Sequence, residues 1–392
     1  MDITDRRMTR AELLRGAAVA GIGLTVIPSF LAACGGSGDS ASTPSASASA
    51  IAGALTAGST VKLLAWQGYD DKGALAALKK EHDVSVSTTY IAGDQEVFTK
   101  LGAQKGIGAW DVLTYNSGLV PSLFELGVLE GISPSSVPNS ADIYPEFMSL
   151  TFLKTGEGDM LTGLPFSWGY QGFVRSADVP QIASWDDLFD PGYKGKIVTV
   201  NDPTTAVATA CLASGFTEYD KMTPDELKQA MDWWYKLKPS LRTILSDYGV
   251  AKDLLVRGEI QGTVPGWQAI VAWAAADGKT LYHDFPSQGV YGFMDLLTMV
   301  KGTKNPENAL GFINFMLEPT SQASLATTQS QGITNQKAVP MLSQDLQNAY
   351  QYADLSKNFE TSPIRPLPPF RGQDGFVGFV DWAKAWERFT AA

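Results

Sequence analysis

The chain has 392 residues, 44% of them hydrophobic and 18% charged, with a net charge of −11. That length is too great for one small domain, and that apolar content excludes a globally disordered chain. The acidic balance excludes a partner held through phosphates, such as nucleic acid, which calls for clustered Lys and Arg; it suits solubility and a cationic ligand. Two histidines, His82 and His283, lie far apart without metal-ligand spacing, so no metal or other cofactor is expected. Cys211 sits in the apolar run of residues 206–213 and is expected to pack as a small buried hydrophobe, with no disulfide.

The chain opens with a basic stretch holding Arg6, Arg7, Arg10 and Arg15, followed by an uncharged, Gly- and Ala-rich run over residues 16–33 that Pro28 interrupts. The run is short of the roughly 20 strongly apolar residues of a membrane-spanning helix and reads as a signal peptide, residues 1–33. It ends in Leu31-Ala32-Ala33-Cys34-Gly35-Gly36, which resembles the bacterial lipobox. That resemblance implies cleavage before Cys34, a lipid on its thiol, and an extracytoplasmic protein anchored to the cell membrane. Cys34 onward carries 30 − 4 = 26 basic and 41 − 3 = 38 acidic residues, a net charge of −12. Thr9-Arg10-Ala11-Glu12-Leu13-Leu14-Arg15 resembles a twin-arginine export motif with Ala11 in place of the second arginine, and both that route and general secretion stay open. Residues 34–60 are Ser, Ala, Gly and Thr with almost no charge or aromatics and read as a flexible tether.

Strands and helices alternate from Val61 onward. Residues 61–66 form a short apolar run ending at Gly68, as a buried strand does. Residues 71–80 have helical spacing through Leu75 and Leu78; Val84, Val86, Thr88 and Tyr90 alternate as a strand; residues 110–115 read as another strand and 121–127 as a short helix. Thr223-Pro224-Asp225-Glu226 combines an N-cap, a first-position proline and a third-position Glu, and Pro239 stops the helix it starts. Asn305-Pro306 opens another helix carrying Leu310, Ile313 and Leu317, while Trp382 and Trp386 mark one face of a last one. This alternation predicts layered α/β structure with a largely parallel sheet, in more than one such domain. No dinucleotide-type or Walker-type glycine loop occurs.

The most specific segment is Ser184-Trp185-Asp186-Asp187-Leu188-Phe189-Asp190-Pro191-Gly192-Tyr193-Lys194-Gly195-Lys196. With it go Leu64-Ala65-Trp66-Gln67-Gly68-Tyr69, Trp110-Asp111-Val112-Leu113, Gly163-Leu164-Pro165-Phe166-Ser167-Trp168-Gly169, Gly266-Trp267, Phe293-Met294-Asp295 and Lys304-Asn305-Pro306. In these segments, residues 61–389 resemble the bacterial extracellular solute-binding proteins of the spermidine/putrescine class, the capture subunits of ABC importers. The resemblance implies a two-lobed α/β, periplasmic-binding-protein-like fold with two crossing strands as a hinge and ligand in the cleft between lobes. It places the crossings near residues 168–172 and 291–295. Lobe 1 is expected over 61–168 plus 295–335, and lobe 2 over 169–294 plus 336–392. The implied partners are a small-molecule amine and ABC permease subunits, for a monomeric protein that is not an enzyme.

A flexible chain of methylenes with ammonium ends asks for aromatic walls, and for acceptors or carboxylates at its ends. Residue by residue, the resemblance places Trp66 and Tyr69 on the first strand-end loop, and Trp267, Asp295 and Asp202 in the cleft. Phe293 stands where the class has a tryptophan. Thr205 stands where it has a second acid, Asn116 where it has a serine, and Gly118 and Gly332 where it has tyrosines. Losing one charge-assisted bond to a desolvated ammonium costs about 2–5 kcal/mol. The expected ligand is therefore not spermidine itself but an amine whose other end is neutral or anionic, such as an amino acid derivative or opine-like compound. Two rival readings stand beside this one. An anchored enzyme lacks any visible nucleophile–base pair, and Ser167 has no nucleophile-elbow pattern. A receptor for an oxyanion could use residues 201–205 ahead of a helix, whereas an iron receptor would want paired tyrosines that are not seen.

Overall fold

The computed structural model describes residues 54–91, 93–102 and 107–392. The expected signal peptide, Cys34 and the tether up to residue 53 lie outside the described residues. The folded body starts a few residues before the expected Val61. The Thr56 N–H and the Ser59 hydroxyl both donate to Asn308 Oδ1, at 2.8 and 3.1 Å.

Among the described residues, eleven strands form one continuous sheet: β1 (Thr60–Trp66), β2 (Ser85–Ile91), β3 (Val112–Asn116), β4 (Leu129–Glu130), β5 (Leu164–Ser176), β6 (Ile197–Val200), β7 (Leu241–Leu245), β8 (Gly262–Trp267), β9 (Leu281–Asp284), β10 (Tyr291–Val300) and β11 (Gly332–Ile333). The order is β2-β1-β3-β10-β5-β8-β6-β7, with β4 added to β10 and β9 and β11 to β5. Two parallel groups, β2-β1-β3 and β8-β6-β7, lie at opposite ends of this order. In β1, Val61, Leu63, Leu64 and Ala65 are all buried. Such a near-continuous apolar run suits a parallel strand covered on both faces.

The antiparallel strands β5 and β10 join the two groups. In β5, Ser167 and Trp168 pair with β11, whereas Gln171 to Arg175 pair with β8 and β9. In β10, Asp295 to Met299 pair with β3, and Tyr291 to Asp295 pair with β5 across the crossing. The chain thus passes from one half to the other where the sequence places the crossings, and the two-lobed α/β architecture is the observed one.

Helices cover the sheet, and local chemistry sets their ends. Asp71 caps the helix Lys72–His82, its Oδ1 accepting from the Ala74 N–H at 2.8 Å, and its carboxylate also accepts from Ser324 and Thr328 on the helix Pro319–Gln329. Thr223 and Glu226 close a reciprocal capping box on the helix Pro224–Leu237. That helix buries Leu227, Ala230, Met231, Trp233, Trp234 and Leu237. Trp234 then meets Trp386 and Phe389 of the last helix, Phe379–Ala391. Cys211 is buried and free, its thiol against the Met222 sulfur. His283 is partly buried on β9, its Nε2 accepting from the Gly172 N–H at 2.9 Å; desolvation lowers its pKa to about 4, which keeps the ring neutral.

Candidate ligand-binding site

A cavity of about 630 Å³ opens at the crossing of β5 and β10. Trp66, Tyr69, Asn116, Asp202, Thr205, Trp267, Phe293 and Asp295, the eight residues picked out in the sequence, all line it. The topology explains the convergence. Trp66, Asn116 and Trp267 end β1, β3 and β8, and Asp202 follows β6, so the carboxyl ends of parallel strands from both halves point at one place. Phe293 and Asp295 sit two apart on β10 and share a face.

On the side of the first half, the turn after β1 carries Tyr69, whose N–H reaches the Trp66 carbonyl at 3.2 Å. Gly68 has φ +94°, and a Cβ there would lie 2.3 Å from Gln329 Oε1, so the turn accepts only glycine without rearrangement. The Tyr69 hydroxyl donates to Asp295 Oδ2 and in turn accepts from Gln331 Nε2 at 2.6 Å. Burial pushes the Asp295 carboxyl up to about 7, while Tyr69 and Trp66 favour its charged form. The Tyr69 phenol is itself raised, first by burial and then by the Asp295 charge.

On the side of the second half, Asp202 caps the helix Pro203–Ala213, its Oδ1 accepting from the Thr204 and Thr205 N–H groups at 3.0 and 3.4 Å. The residue therefore serves both the helix end and the cavity wall. Burial raises its pKa against those bonds. The Thr204 hydroxyl donates to Asp94 Oδ2 at 2.9 Å. Asp94 opens the helix Asp94–Leu101 and comes from the first half, so this bond spans the cleft. As a residue Asp94 is only partly buried, yet its Oδ1 is enclosed without a hydrogen-bond partner. Burial and the charge of Asp202 push its carboxyl up to about 8, against the Thr204 bond.

Aromatic groups form the walls. Trp267 meets Trp273, Tyr248 and Phe293 edge-on at ring separations of 5.2, 6.0 and 6.3 Å. Asn116 donates from Nδ2 to the Tyr291 hydroxyl at 3.0 Å. Six enclosed side-chain atoms without partners belong to this wall: Asp94 Oδ1, Gln171 Oε1, Thr205 Oγ1, Tyr248 Oη, Trp267 Nε1 and Gln331 Oε1. Buried polar groups normally pair, so this concentration marks the cavity as a place built to receive polar atoms. Five acidic side chains line it, and among the described residues no Lys, Arg or His does.

Sequence reasoning missed Asp94, Gln171, Tyr248, Tyr291 and Gln331. Tyr291 was within reach, because it precedes Phe293 by two on the same strand face. The two glycines at positions 118 and 332 are closely packed. A Cβ on Gly118 would lie 2.7 Å from Leu367 Cγ, and the Leu367 N–H donates to the Gly118 carbonyl at 2.9 Å. A Cβ on Gly332 would lie 2.4 Å from the Trp168 carbonyl and 2.6 Å from the Tyr350 ring. Neither position has room for a side chain.

A cleft between two α/β layers, walled by strand-end loops and a hinge of two crossing strands, defines a receptor that closes on a small solute. The family model for bacterial extracellular solute-binding proteins matches residues 73–353, and the chain belongs to that family; it is a binding protein, not an enzyme. The spermidine/putrescine-binding periplasmic protein of Escherichia coli K12 is 26% identical over 302 residues, covering 75% of this chain and 84% of that protein. A putrescine-binding periplasmic protein of Pseudomonas aeruginosa UCBPP-PA14 is 24% identical over 322 residues, covering 77% and 86%. The structure of a putative spermidine/putrescine ABC transporter protein from Listeria monocytogenes superposes with a TM-score of 0.71 at 20% identity, covering 84% of this chain and 98% of that one. No helix among the described residues is long and apolar enough to cross a membrane.

Proposed function

We propose that the protein is the capture subunit of an ABC importer for a polyamine-like or other cationic or zwitterionic organic amine, which it delivers to permease subunits. The observation that carries this reading is the lining of the cleft: Asp94, Asp202 and Asp295 among aromatic walls, with no basic side chain on it among the described residues. Aromatic faces hold methylenes and cations, and carboxylates pair desolvated ammonium groups. An oxyanion in the same place would meet those carboxylates with no cation to offset them. The named relatives bind spermidine and putrescine, which supports the same class.

In this reading the lobes are residues 61–168 plus 295–335 and 169–294 plus 336–392, closing on ligand about the crossing strands. The ligand contacts are Trp66, Tyr69, Asn116, Asp202, Thr205, Trp267, Phe293 and Asp295. The mature protein starts at lipidated Cys34, sits outside the cytoplasm on a membrane anchor, and works as a monomer. Mass spectrometry of protein from its host is expected to find a lipid on an N-terminal Cys34, and an unmodified N-terminus at another position would refute the anchor.

The ligand class is tested by thermal shift with a panel of diamines, spermidine, zwitterionic amines and inorganic anions. A ligand that binds only the folded protein raises its melting temperature, by about 2.7 kcal/mol of stability at one hundred times Kd. Stabilisation by an amine that disappears in Trp267→Ala is expected. A shift with anions alone would overturn the reading.

A further inference from the structure

We propose that Asp94, held by the Thr204 hydroxyl, is an ammonium-binding carboxylate of this cleft, and that it selects ligands carrying a second ammonium over ligands ending in a carboxylate. The assignment rests on the reading of the cleft as an amine receptor and sharpens which amine it takes.

Asp94 is one of several acceptors that line the cavity. Asp94 Oδ2 accepts from Thr204, and Oδ1 is enclosed and unpartnered. Gln171 Oε1, Gln331 Oε1 and Thr205 Oγ1 line the same cavity without partners, on residues that are 5%, 3% and 5% exposed. The orientation of the Gln331 amide follows from its neighbours. The Tyr69 hydroxyl gives its proton to Asp295, so Gln331 must donate to that oxygen through Nε2, and its carbonyl oxygen is left over. An ammonium brings three donors and no acceptor. A ligand carboxylate brings only acceptors, and would add a negative charge beside Asp94, Asp202 and Asp295. Thr205 supplies no charge of its own. Asp94 supplies one from the opposite side of the cleft, next to it through Thr204.

The experiment is isothermal titration at pH 8 of the purified protein with putrescine and with 4-aminobutanoate, which has the same chain length and one ammonium replaced by carboxylate. The wild-type protein is expected to prefer putrescine by about 30-fold or more, the loss typical of an unpaired buried charge. Asp94→Asn keeps the shape and the Thr204 bond, so it is expected to fold. It should weaken putrescine by about 30-fold or more while leaving 4-aminobutanoate unchanged or tighter. Adding Thr205→Glu to that variant should recover most of the lost putrescine affinity. Should Asp94→Asn fail to fold, Thr204→Val provides the same reading, with a loss of about tenfold or more for putrescine only. Unchanged affinity and selectivity in the variant, or a wild-type preference for 4-aminobutanoate, would overturn the role of Asp94 and leave the amine receptor standing. Wild-type protein that binds neither compound, nor spermidine, would overturn the receptor reading itself.

Discussion

Asp295 and Asp94 face the same cavity, yet they are held in opposite ways. Asp295 sits inside β10, is 5% exposed, and receives the Tyr69 hydroxyl, itself backed by Gln331. Its partners come from the turn after β1 and the residue before β11, both fastened to the first half of the sheet. Asp94 stands at a helix start outside the sheet, and the hydroxyl that holds it belongs to the other half of the molecule. One carboxylate is therefore organised before any lobe movement. The other acquires its partner only when the halves lie as close as they do here. The comparison teaches that a closing receptor can keep one permanent anchor in its cleft and assemble a second carboxylate site by closure.

The largest expected effect tests the permanent anchor. Asp295→Asn should cost about 2–5 kcal/mol of binding free energy for a cationic amine, measured by titration calorimetry. A change below tenfold in Kd would mean that β10 does not carry the main charge of the site. Thr204→Val tests the assembled site. It removes a hydrogen bond to a charged group, worth about 1.5–3 kcal/mol, and should raise the ligand off-rate more than it changes the on-rate; an unaltered off-rate in stopped-flow would break the contrast.

Proton linkage separates the two sites further. Asp295 and Asp94 have pKa values raised to about 7 and about 8, so the folded protein retains protons that the unfolded chain has lost. That contribution to stability is complete below the ordinary carboxylate range and is lost as pH rises through 7 and then 8. The unliganded protein is therefore expected to melt at lower temperature at pH 8.5 than at pH 5.5, as far as these two groups decide it. Cation binding has the opposite dependence, since it needs both groups ionised. Affinity for a diamine should rise between pH 6 and pH 8 with release of protons, and Asp94→Asn should remove the upper part of that rise. Affinity that stays level across this range would contradict both assignments. The smallest effect is a control away from the cleft. Thr223→Ala opens the capping box of the helix Pro224–Leu237 and should lower stability by about 1 kcal/mol in urea denaturation, with no change in ligand Kd.

What the sequence determined alone is whatever depends on near neighbours. The alternation of strands and helices, the Thr223–Glu226 cap, and the face shared by Phe293 and Asp295 follow from short-range sterics and strand periodicity, and so could be read directly. The strand-end residues Trp66 and Trp267 were legible through motifs around them, and the cavity wall includes both. Tertiary structure decided what lies between distant segments. Leu367 closes over Gly118, and Tyr350 over Gly332, contacts between distant segments that no local pattern foretells. Asp94 and Thr204 are 110 residues apart, and only the folding of two halves around β5 and β10 brings them to 2.9 Å. A carboxylate at a helix start looks in sequence like any other surface acid. Its role depends on what the rest of the chain lays against it, because burial, neighbouring charge and an unpartnered oxygen are properties of the assembled cleft and not of the residue.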